Sequence, residues 1–181
     1  MPAFVVVSGL PATGKTTVAS ALARALSLPH FDKDTYLEAL FTKDGRVDPI
    51  TRKALSAKAD EQFQLAAEAS NGAILSSWWR HPASTRESGT PTAWLSARAR
   101  VIEVHCVSKP ETAARRFRDR KRHPAHCDDR WSYESLLAML EEQEPLGPLF
   151  PSECVVVNTE HGIELHEVLP RVKARLSPVD A

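Results

Sequence analysis

The chain has 181 residues, of which 43% are hydrophobic and 25% charged, a length and composition that suit one globular domain with a sizeable core. Lys plus Arg and Asp plus Glu number 23 each, and the resulting zero net charge argues against a chain tuned as a whole to nucleic acid or an anionic membrane. The apolar start, Met1 to Val7, is too short for a signal peptide, and no apolar run of about 18 residues indicates a membrane span, so we expect a cytoplasmic protein.

Apolar runs alternate with helical patterns along the chain, which predicts a parallel sheet with crossover helices. The first half is predicted to contain strands at 4–8, 29–32 and 73–77 and helices at 15–27, 35–41 and 49–70. The second half is predicted to contain strands at 101–107 and 154–157, helices at 92–98, 110–121, 131–142 and 164–176, and a polar loop at 123–129. These elements predict a single α/β domain over residues 1–181, with a five-stranded parallel sheet between helices on both faces.

A phosphate-binding motif lies between the first strand and the first helix. It matches G-x-x-x-x-G-K-[ST] without a mismatch and consists of Gly9, Leu10, Pro11, Ala12, Thr13, Gly14, Lys15 and Thr16. The glycines allow a tight turn that points backbone N–H groups inward at the positive end of the helix. We expect Lys15 to reach the β- and γ-phosphates and Thr16 to ligate Mg²⁺, with Thr17 also at the nucleotide. The sequence therefore predicts a three-layer P-loop NTPase fold with ATP and Mg²⁺ as cofactors.

A P-loop alone does not determine the reaction. A GTPase should carry an Asn-Lys-x-Asp guanine motif, and the nearest segment, Asn158-Thr159-Glu160, does not match it. Asp32-Lys33-Asp34 stands at the end of the second predicted strand, which lies beside the P-loop in a doubly wound sheet. Two carboxylates there could serve Mg²⁺ and an acceptor hydroxyl, which favours a kinase. In the alternative interpretation, Asp34 caps the helix that follows.

An arginine-rich segment at 115–123 is the second feature that favours a kinase. Arg116 and Arg120 are i, i+4 neighbours and are predicted to lie on one helix face. Phosphoryl transfer depends mainly on positioning and charge neutralisation, to which arginine is well suited. A solvated basic face is the alternative interpretation.

Together these features resemble the nucleoside-monophosphate-kinase-like family of P-loop kinases over nearly the whole chain. The closest resemblance is to small-molecule members such as the gluconate, shikimate and chloramphenicol kinases. It implies that Asp32 helps to hold Mg²⁺ through water and that Asp34 touches the acceptor hydroxyl, often as the base. It also implies that Arg116 and Arg120 are lid arginines over ATP. A mobile lid at about 118–131 and a helical substrate-binding region at about 35–70 follow from the same resemblance.

The segment after the third strand departs from that family, in which many members have an Asp or a Gly-rich stretch. Here the strand continues into Ser76-Ser77-Trp78-Trp79-Arg80. We expect Trp78 and Trp79 at the mouth of the site, where an aromatic ring can stack on the acceptor, and Arg80 to hold an anionic group. In the alternative interpretation, one tryptophan belongs to the core and Arg80 to the surface.

The sequence thus predicts an ATP-dependent phosphotransferase that moves the γ-phosphoryl group to a hydroxyl of a small metabolite or antibiotic-like molecule. Two alternatives stay open. One is a polynucleotide 5′-hydroxyl kinase, which Asp34-Thr35-Tyr36 loosely resembles, although no arginine follows where that branch would hold a 3′-phosphate. The other is a nucleotide-binding regulator or toxin-like protein without kinase output. We expect no nucleic-acid or membrane partner, and the sequence specifies neither the acceptor nor the oligomeric state.

Overall fold

The computed structural model describes residues 3–44 and 48–177, and five strands in it form one sheet. The strands are β1 (Ala3–Gly9), β2 (His30–Asp32), β3 (Ala73–Ser76), β4 (Arg100–Val107) and β5 (Cys154–Asn158). They are hydrogen-bonded in the order β2-β3-β1-β4-β5, and every pair is parallel. Parallel neighbours need crossover connections, so the predicted parallel sheet with helices between its strands is confirmed.

Seven α-helices in the described part of the chain connect and follow these strands. They are α1 (Lys15–Leu26), α2 (Lys33–Asp44), α3 (Pro49–Glu68), α4 (Leu95–Arg98), α5 (Pro110–Asp119), α6 (Tyr133–Gln143) and α7 (Leu165–Leu176). Short 3₁₀ turns occur at Pro124–His126, Asp128–Arg130, Glu144–Leu146 and Pro151–Glu153. Within residues 3–44 and 48–177, no helix is long and apolar enough to cross a membrane.

The side chains of β1 alternate between two apolar layers. Val5 and Val7 pack against α1 and α7, whereas Phe4 and Val6 pack against α3 on the other face. All four side chains are fully buried, and burying a side chain of this size stabilises the fold by about 1.5–3 kcal/mol. This double burial holds the central strand, and therefore the loop that begins at Gly9, in a fixed position.

Helix α2 differs from the sequence prediction at its start. We expected a helix at 35–41, but α2 begins at Lys33, directly after β2. The Asp34 N–H donates to Asp32 Oδ1 at 3.1 Å, so that Asp32 supplies the cap for this helix. The interpretation in which Asp34 is the capping residue is therefore wrong, and the Asp34 carboxylate is available for other contacts.

Candidate active site

The loop after β1 has a backbone conformation that depends on glycine at two points. Gly9 has a φ of 124°, and an added Cβ would lie 2.2 Å from the carbonyl oxygen of Cys106 on β4. Gly14 has a φ of 84° and is the N-cap of α1, while Ala12 between them has a φ of 61°. Residues in this left-handed region curl the backbone into a concave nest of N–H groups, which favours an anion.

The N-terminus of α1 opens at this nest, and no side chain of the described residues caps it. An uncapped helix start carries a partial positive charge and is suited to bind a phosphate group. Lys15 is the first residue of α1, and its Nζ donates to the Leu10 carbonyl oxygen at 2.8 Å, across the loop. Because the loop encloses this ammonium group, burial lowers the pKa of Lys15 to about 8.

Thr16 and Asp32 meet beside the nest. Thr16 Oγ1 donates to Asp32 Oδ2 at 3.0 Å, which joins the first turn of α1 to the end of β2. Hydroxyl and carboxylate oxygens are ligands that Mg²⁺ prefers, and Mg²⁺ commonly binds through few protein groups together with substrate phosphates. The two residues therefore fit an Mg²⁺ ion carried by a triphosphate, with Thr16 as the ligand and Asp32 behind it.

A cavity of about 810 Å³ extends from the nest past the ends of β2 and β3. Lys15, Thr16, Asp32 and Asp34 all line it, so the groups predicted for the nucleotide and for the acceptor share one space. Its volume lies in the range of small-molecule sites. A second cavity lies behind the loop and has a volume of about 80 Å³, which is too small for a nucleotide.

Asp34 lines the cavity from the first turn of α2 and already has a cationic partner. Its carboxylate forms an ion pair with the Arg122 guanidinium, which also donates to Asp128 at 3.4 Å. His126 Nδ1 lies 3.9 Å from the other Asp34 oxygen. A ligand that contacts the Asp34 carboxylate must therefore share it with Arg122 or displace Arg122. Sequence reasoning included Arg122 in the expected lid at about 118–131 but did not pair it with Asp34, because nothing in the order of residues indicates that the segment after α5 folds back onto α2.

Arg116 and Arg120 both line the cavity, but they do not share one helix face as predicted. Helix α5 ends at Asp119, and Arg120 already has an extended backbone with a φ of −77° and a ψ of 139°. Arg116 Nη2 donates to the carbonyl oxygens of Thr159 and Glu160, each at 2.9 Å. These contacts hold Arg116 against the loop that follows β5.

Arg120 has a separate set of neighbours. Its guanidinium carbon lies 4.4 Å from the centroid of the Phe117 ring, and its Nη2 lies 3.5 Å from Asp128 Oδ2. Burial, followed by the like charge of Arg122, lowers the pKa of Arg120 to about 10. The guanidinium is therefore charged at neutral pH but poorly solvated, a state in which a cation gains strongly from an incoming phosphate.

The two tryptophans after β3 have different environments. Trp78 is half-buried and lines the large cavity, as does Arg80. Trp79 is 5% exposed, packs in the core against α3, and donates its indole N–H to the Val7 carbonyl oxygen at 3.0 Å. Alternation along the chain explains the difference, because successive side chains in extended backbone point to opposite sides. The structure thus brings Trp78 and Arg80 to the cavity but places Trp79 in the core.

The segment predicted as a lid, about 118–131, is docked on α2 and α3. Ala125 is fully buried among apolar side chains of both helices. His126 contacts Glu38 on α2, with 2.7 Å between Nε2 and Oε1, and Arg52 Nε on α3 donates to the Ala125 carbonyl oxygen at 2.6 Å. Arg120 and the predicted substrate-binding helices are therefore connected through one packed segment.

A buried lysine next to Asp34 organises the other end of the cavity. Lys33 Nζ donates to Ser56 Oγ at 2.6 Å and lies 3.7 Å from Asp60. Asp60 accepts a hydrogen bond from Thr90 Oγ1 at 2.7 Å, and Thr90 is bonded in turn to Ser77 at 2.6 Å. This network joins α2, α3 and the segment after β3. In the sequence, this network is indicated only by the spacing of Ser56 and Asp60, which lie one helix turn apart.

Glu103 is a fully buried carboxylate on β4 that sequence reasoning missed within an apolar strand. It accepts hydrogen bonds from the Ser8 hydroxyl and from the N–H groups of Leu149 and Phe150 at 2.9 and 2.6 Å. Burial raises the pKa of Glu103, but these bonds and the neighbouring His105 outweigh it and lower the pKa below its ordinary value. The carboxylate ties the connection before β5 to the residue that precedes the phosphate loop.

Comparisons with known proteins agree with this geometry. The sequence profile of the AAA domain family matches residues 4–146. A structure from Chloroflexus aurantiacus J-10-fl, provisionally assigned as a kinase, is 28% identical with a TM-score of 0.79, and the match covers 97% of this chain and 99% of that one. Two further structures share the fold. Shikimate kinase from Bacteroides thetaiotaomicron is 20% identical with a TM-score of 0.57, and the match covers 96% of this chain and 98% of that one. A gluconokinase from Sinorhizobium meliloti 1021 is 17% identical with a TM-score of 0.51, and the match covers 97% and 91%. A search of curated protein sequences finds no significant match.

Proposed function

This chain belongs to the AAA domain family, and from that membership and the site geometry we propose that it is an ATP-dependent kinase that phosphorylates a hydroxyl group of a small molecule. The proposal rests on one observation: the phosphate nest and Asp34 line the same cavity. A nucleotide-binding regulator needs the nest but has no need of a carboxylate placed across an open cavity of this size. The proposed acceptor therefore lies between Asp34 and the nest.

We propose a role in phosphoryl transfer for the residues at the nest. The backbone of Gly9–Thr16 and Lys15 hold the phosphates, and Arg120 neutralises charge that develops on the moving phosphoryl group. Arg116 holds the loop after β5, where we place the adenine. Thr16 and, behind it, Asp32 would hold a bound Mg²⁺, which would supply charge neutralisation for the phosphates.

We propose that Asp34 and the docked segment act on the acceptor. The acceptor oxygen attacks the γ-phosphorus, the bond to the ADP leaving group breaks, and the hydroxyl proton passes to Asp34. Arg122 is proposed to orient Asp34 until an acceptor arrives, because it is the guanidinium in contact with that carboxylate. Trp78 is proposed to form an apolar wall for the acceptor, and the docked segment to exclude water from the site.

A transfer assay tests the proposal directly. Purified protein with Mg²⁺ and γ-labelled ATP is incubated with a panel of sugars, polyols, hydroxy acids, nucleosides and antibiotics, together with a 5′-hydroxyl oligonucleotide. We expect label to move to a small molecule and ADP to form in equal amount. Transfer to the oligonucleotide alone would instead identify a polynucleotide kinase, and tight ATP binding with no transfer to any compound would favour a regulator.

Nucleotide affinity is expected to fall as the pH rises through about 8. Burial lowers the pKa of Lys15 to about 8, whereas a bound phosphate favours the charged ammonium. At pH 7 the lysine is already protonated before binding, but at pH 9 it must take up a proton, which weakens binding by up to about tenfold per pH unit. Calorimetry at pH 7, 8 and 9 in buffers of different ionisation enthalpy measures this uptake. A proton uptake near zero at every pH contradicts the prediction.

A further inference from the structure

The large cavity has more positive than negative side chains, although the whole chain is neutral. Eight cationic side chains line it, namely Lys15, Lys33, Arg52, Lys53, Arg80, Arg116, Arg120 and Arg122. Five carboxylates also line it, namely Asp32, Asp34, Asp60, Glu87 and Asp128. A triphosphate with bound Mg²⁺ carries about two net negative charges and leaves roughly one positive charge without a counterpart. That remaining charge lies in a partly enclosed space, where an unmatched ion is costly.

The ion pairs near Asp34 indicate which side chain carries the positive charge without a counterpart. Lys33 is 3.7 Å from Asp60, and Lys53 is 3.5 Å from Glu87. Arg122 pairs with Asp34, as described above. Arg52 has no carboxylate within 4 Å among the described residues, and its hydrogen bond from Nε goes to a backbone carbonyl oxygen.

Arg52 lies near Asp34, as two chains of contacts show. On α3, Arg52 is one turn from Ser56, which accepts a hydrogen bond at 2.6 Å from Lys33, the neighbour of Asp34. On the docked segment, Arg52 bonds to Ala125, next to His126, whose Nδ1 is 3.9 Å from Asp34. One small molecule can therefore span the two side chains.

We propose that Arg52 binds the carboxylate of the acceptor, which is therefore a small hydroxy acid with its reactive hydroxyl at Asp34. This inference rests on the proposed kinase function and narrows its substrate class. Within residues 3–44 and 48–177 neither Nη group of Arg52 has a hydrogen-bond partner, which leaves both for a planar, bidentate contact with a carboxylate, while Nε holds the docked segment. Burial lowers the pKa of Arg52, as expected for a cation short of solvent and of an anionic partner.

A second guanidinium, that of Arg80, also has no carboxylate partner within 4 Å in the part of the chain that the structure describes. Its Nε is buried without a hydrogen bond to a described residue, and its Nη2 lies 3.4 Å from the Gly89 carbonyl oxygen. Arg80 follows β3 and lies beside Thr90 through backbone bonding, at the Asp60 end of the cavity. We assign the carboxylate to Arg52 because two short chains of contacts connect it to Asp34, one through Ser56 and one through Ala125. Arg80 is connected to Lys33, the neighbour of Asp34, through the longer chain of Thr90 and Asp60.

Matched pairs of ligands test the inference. The protein is saturated with a non-hydrolysable ATP analogue and Mg²⁺ and is titrated with glycerate, gluconate, shikimate and quinate and with the primary amide of each. We expect at least one acid to bind and its amide to bind on the order of 100-fold more weakly, because the amide leaves the guanidinium without an ionic partner. Amides that bind as tightly as the acids, or a panel in which no acid binds, would overturn the inference.

Three variants separate binding from a structural effect. Arg52→Met is expected to lose the preference for acids over amides, and Arg52→Lys to keep part of it, since lysine retains the charge without the planar fork. Lys58→Met is the matched control, because Lys58 is an exposed cation on the same helix and does not line the cavity. A merely structural role for Arg52 would lower the melting temperature and weaken acids and amides equally. An Arg52→Met variant that binds acids like the wild type also contradicts the assignment.

The kinase proposal and this inference can fail separately. Phosphorylation of a neutral polyol with no preference for acids would leave the kinase proposal intact and remove the role of Arg52. Binding of acids through Arg52 without phosphoryl transfer to any compound would support the role of Arg52 and contradict the kinase proposal.

Discussion

Replacing Lys15 with methionine is expected to lower phosphoryl transfer from ATP on the order of 1,000-fold, because methionine keeps the length of the side chain but carries no charge. The Lys15 Nζ lies 2.8 Å from the Leu10 carbonyl oxygen, within the nest formed by Gly9 and Gly14. A phosphate oxygen entering the nest can replace this carbonyl as the acceptor of the hydrogen bond. Initial rates of ADP formation and calorimetric nucleotide affinity measure the loss.

The Lys15→Met variant should nevertheless fold. Burial of an ammonium group is unfavourable, so the melting temperature without nucleotide is expected to equal or exceed that of the wild type. Arg24→Met is the matched control, because Arg24 is exposed in the last turn of the same helix, and its rate should stay within about twofold of wild type. Wild-type transfer by Lys15→Met would remove the assignment of the loop as the phosphate site.

The phosphate loop and the sheet were predictable because their signals are local. The strand before Gly9 is a run of β-branched and aromatic residues, and the glycine spacing in the loop follows from backbone angles that other residues avoid. Strand positions could likewise be read from apolar runs. The parallel direction of the strands then follows from the alternation of strands and helices, because parallel neighbours require a crossover.

The acceptor side was less predictable because it depends on contacts between distant segments. Asp34 was singled out from the sequence, but its partner Arg122 lies 88 positions further along the chain. The assignment of Trp79 to the site mouth could not be separated from a core position, since two adjacent tryptophans look alike in sequence. Glu103 was missed because a charged residue inside an apolar strand becomes meaningful only when the N–H groups of Leu149 and Phe150 are seen to meet it.

The docked segment connects the nucleotide side of the proposed site to the acceptor side. Arg120 at the nest and Arg122 at Asp34 are two residues apart, and both contact Asp128. A triphosphate that draws Arg120 toward the nest also changes the balance of charge around Asp128 and therefore around Arg122. We therefore expect nucleotide binding to affect Asp34 through this shared set of ion pairs.

Replacing Asp34 with asparagine is expected to lower kcat between about 100-fold and 10,000-fold while leaving nucleotide affinity within a few-fold of wild type. Asparagine has nearly the same shape and can still hydrogen-bond to the acceptor hydroxyl, but it cannot take up the proton. Transfer assays at saturating acceptor measure kcat, and calorimetry measures the nucleotide. Glu38→Gln is the control, because Glu38 lies one turn further along α2 and its amide can keep the contact with His126. An Asp34→Asn variant as fast as the wild type would show that this carboxylate only positions the hydroxyl or does not touch it.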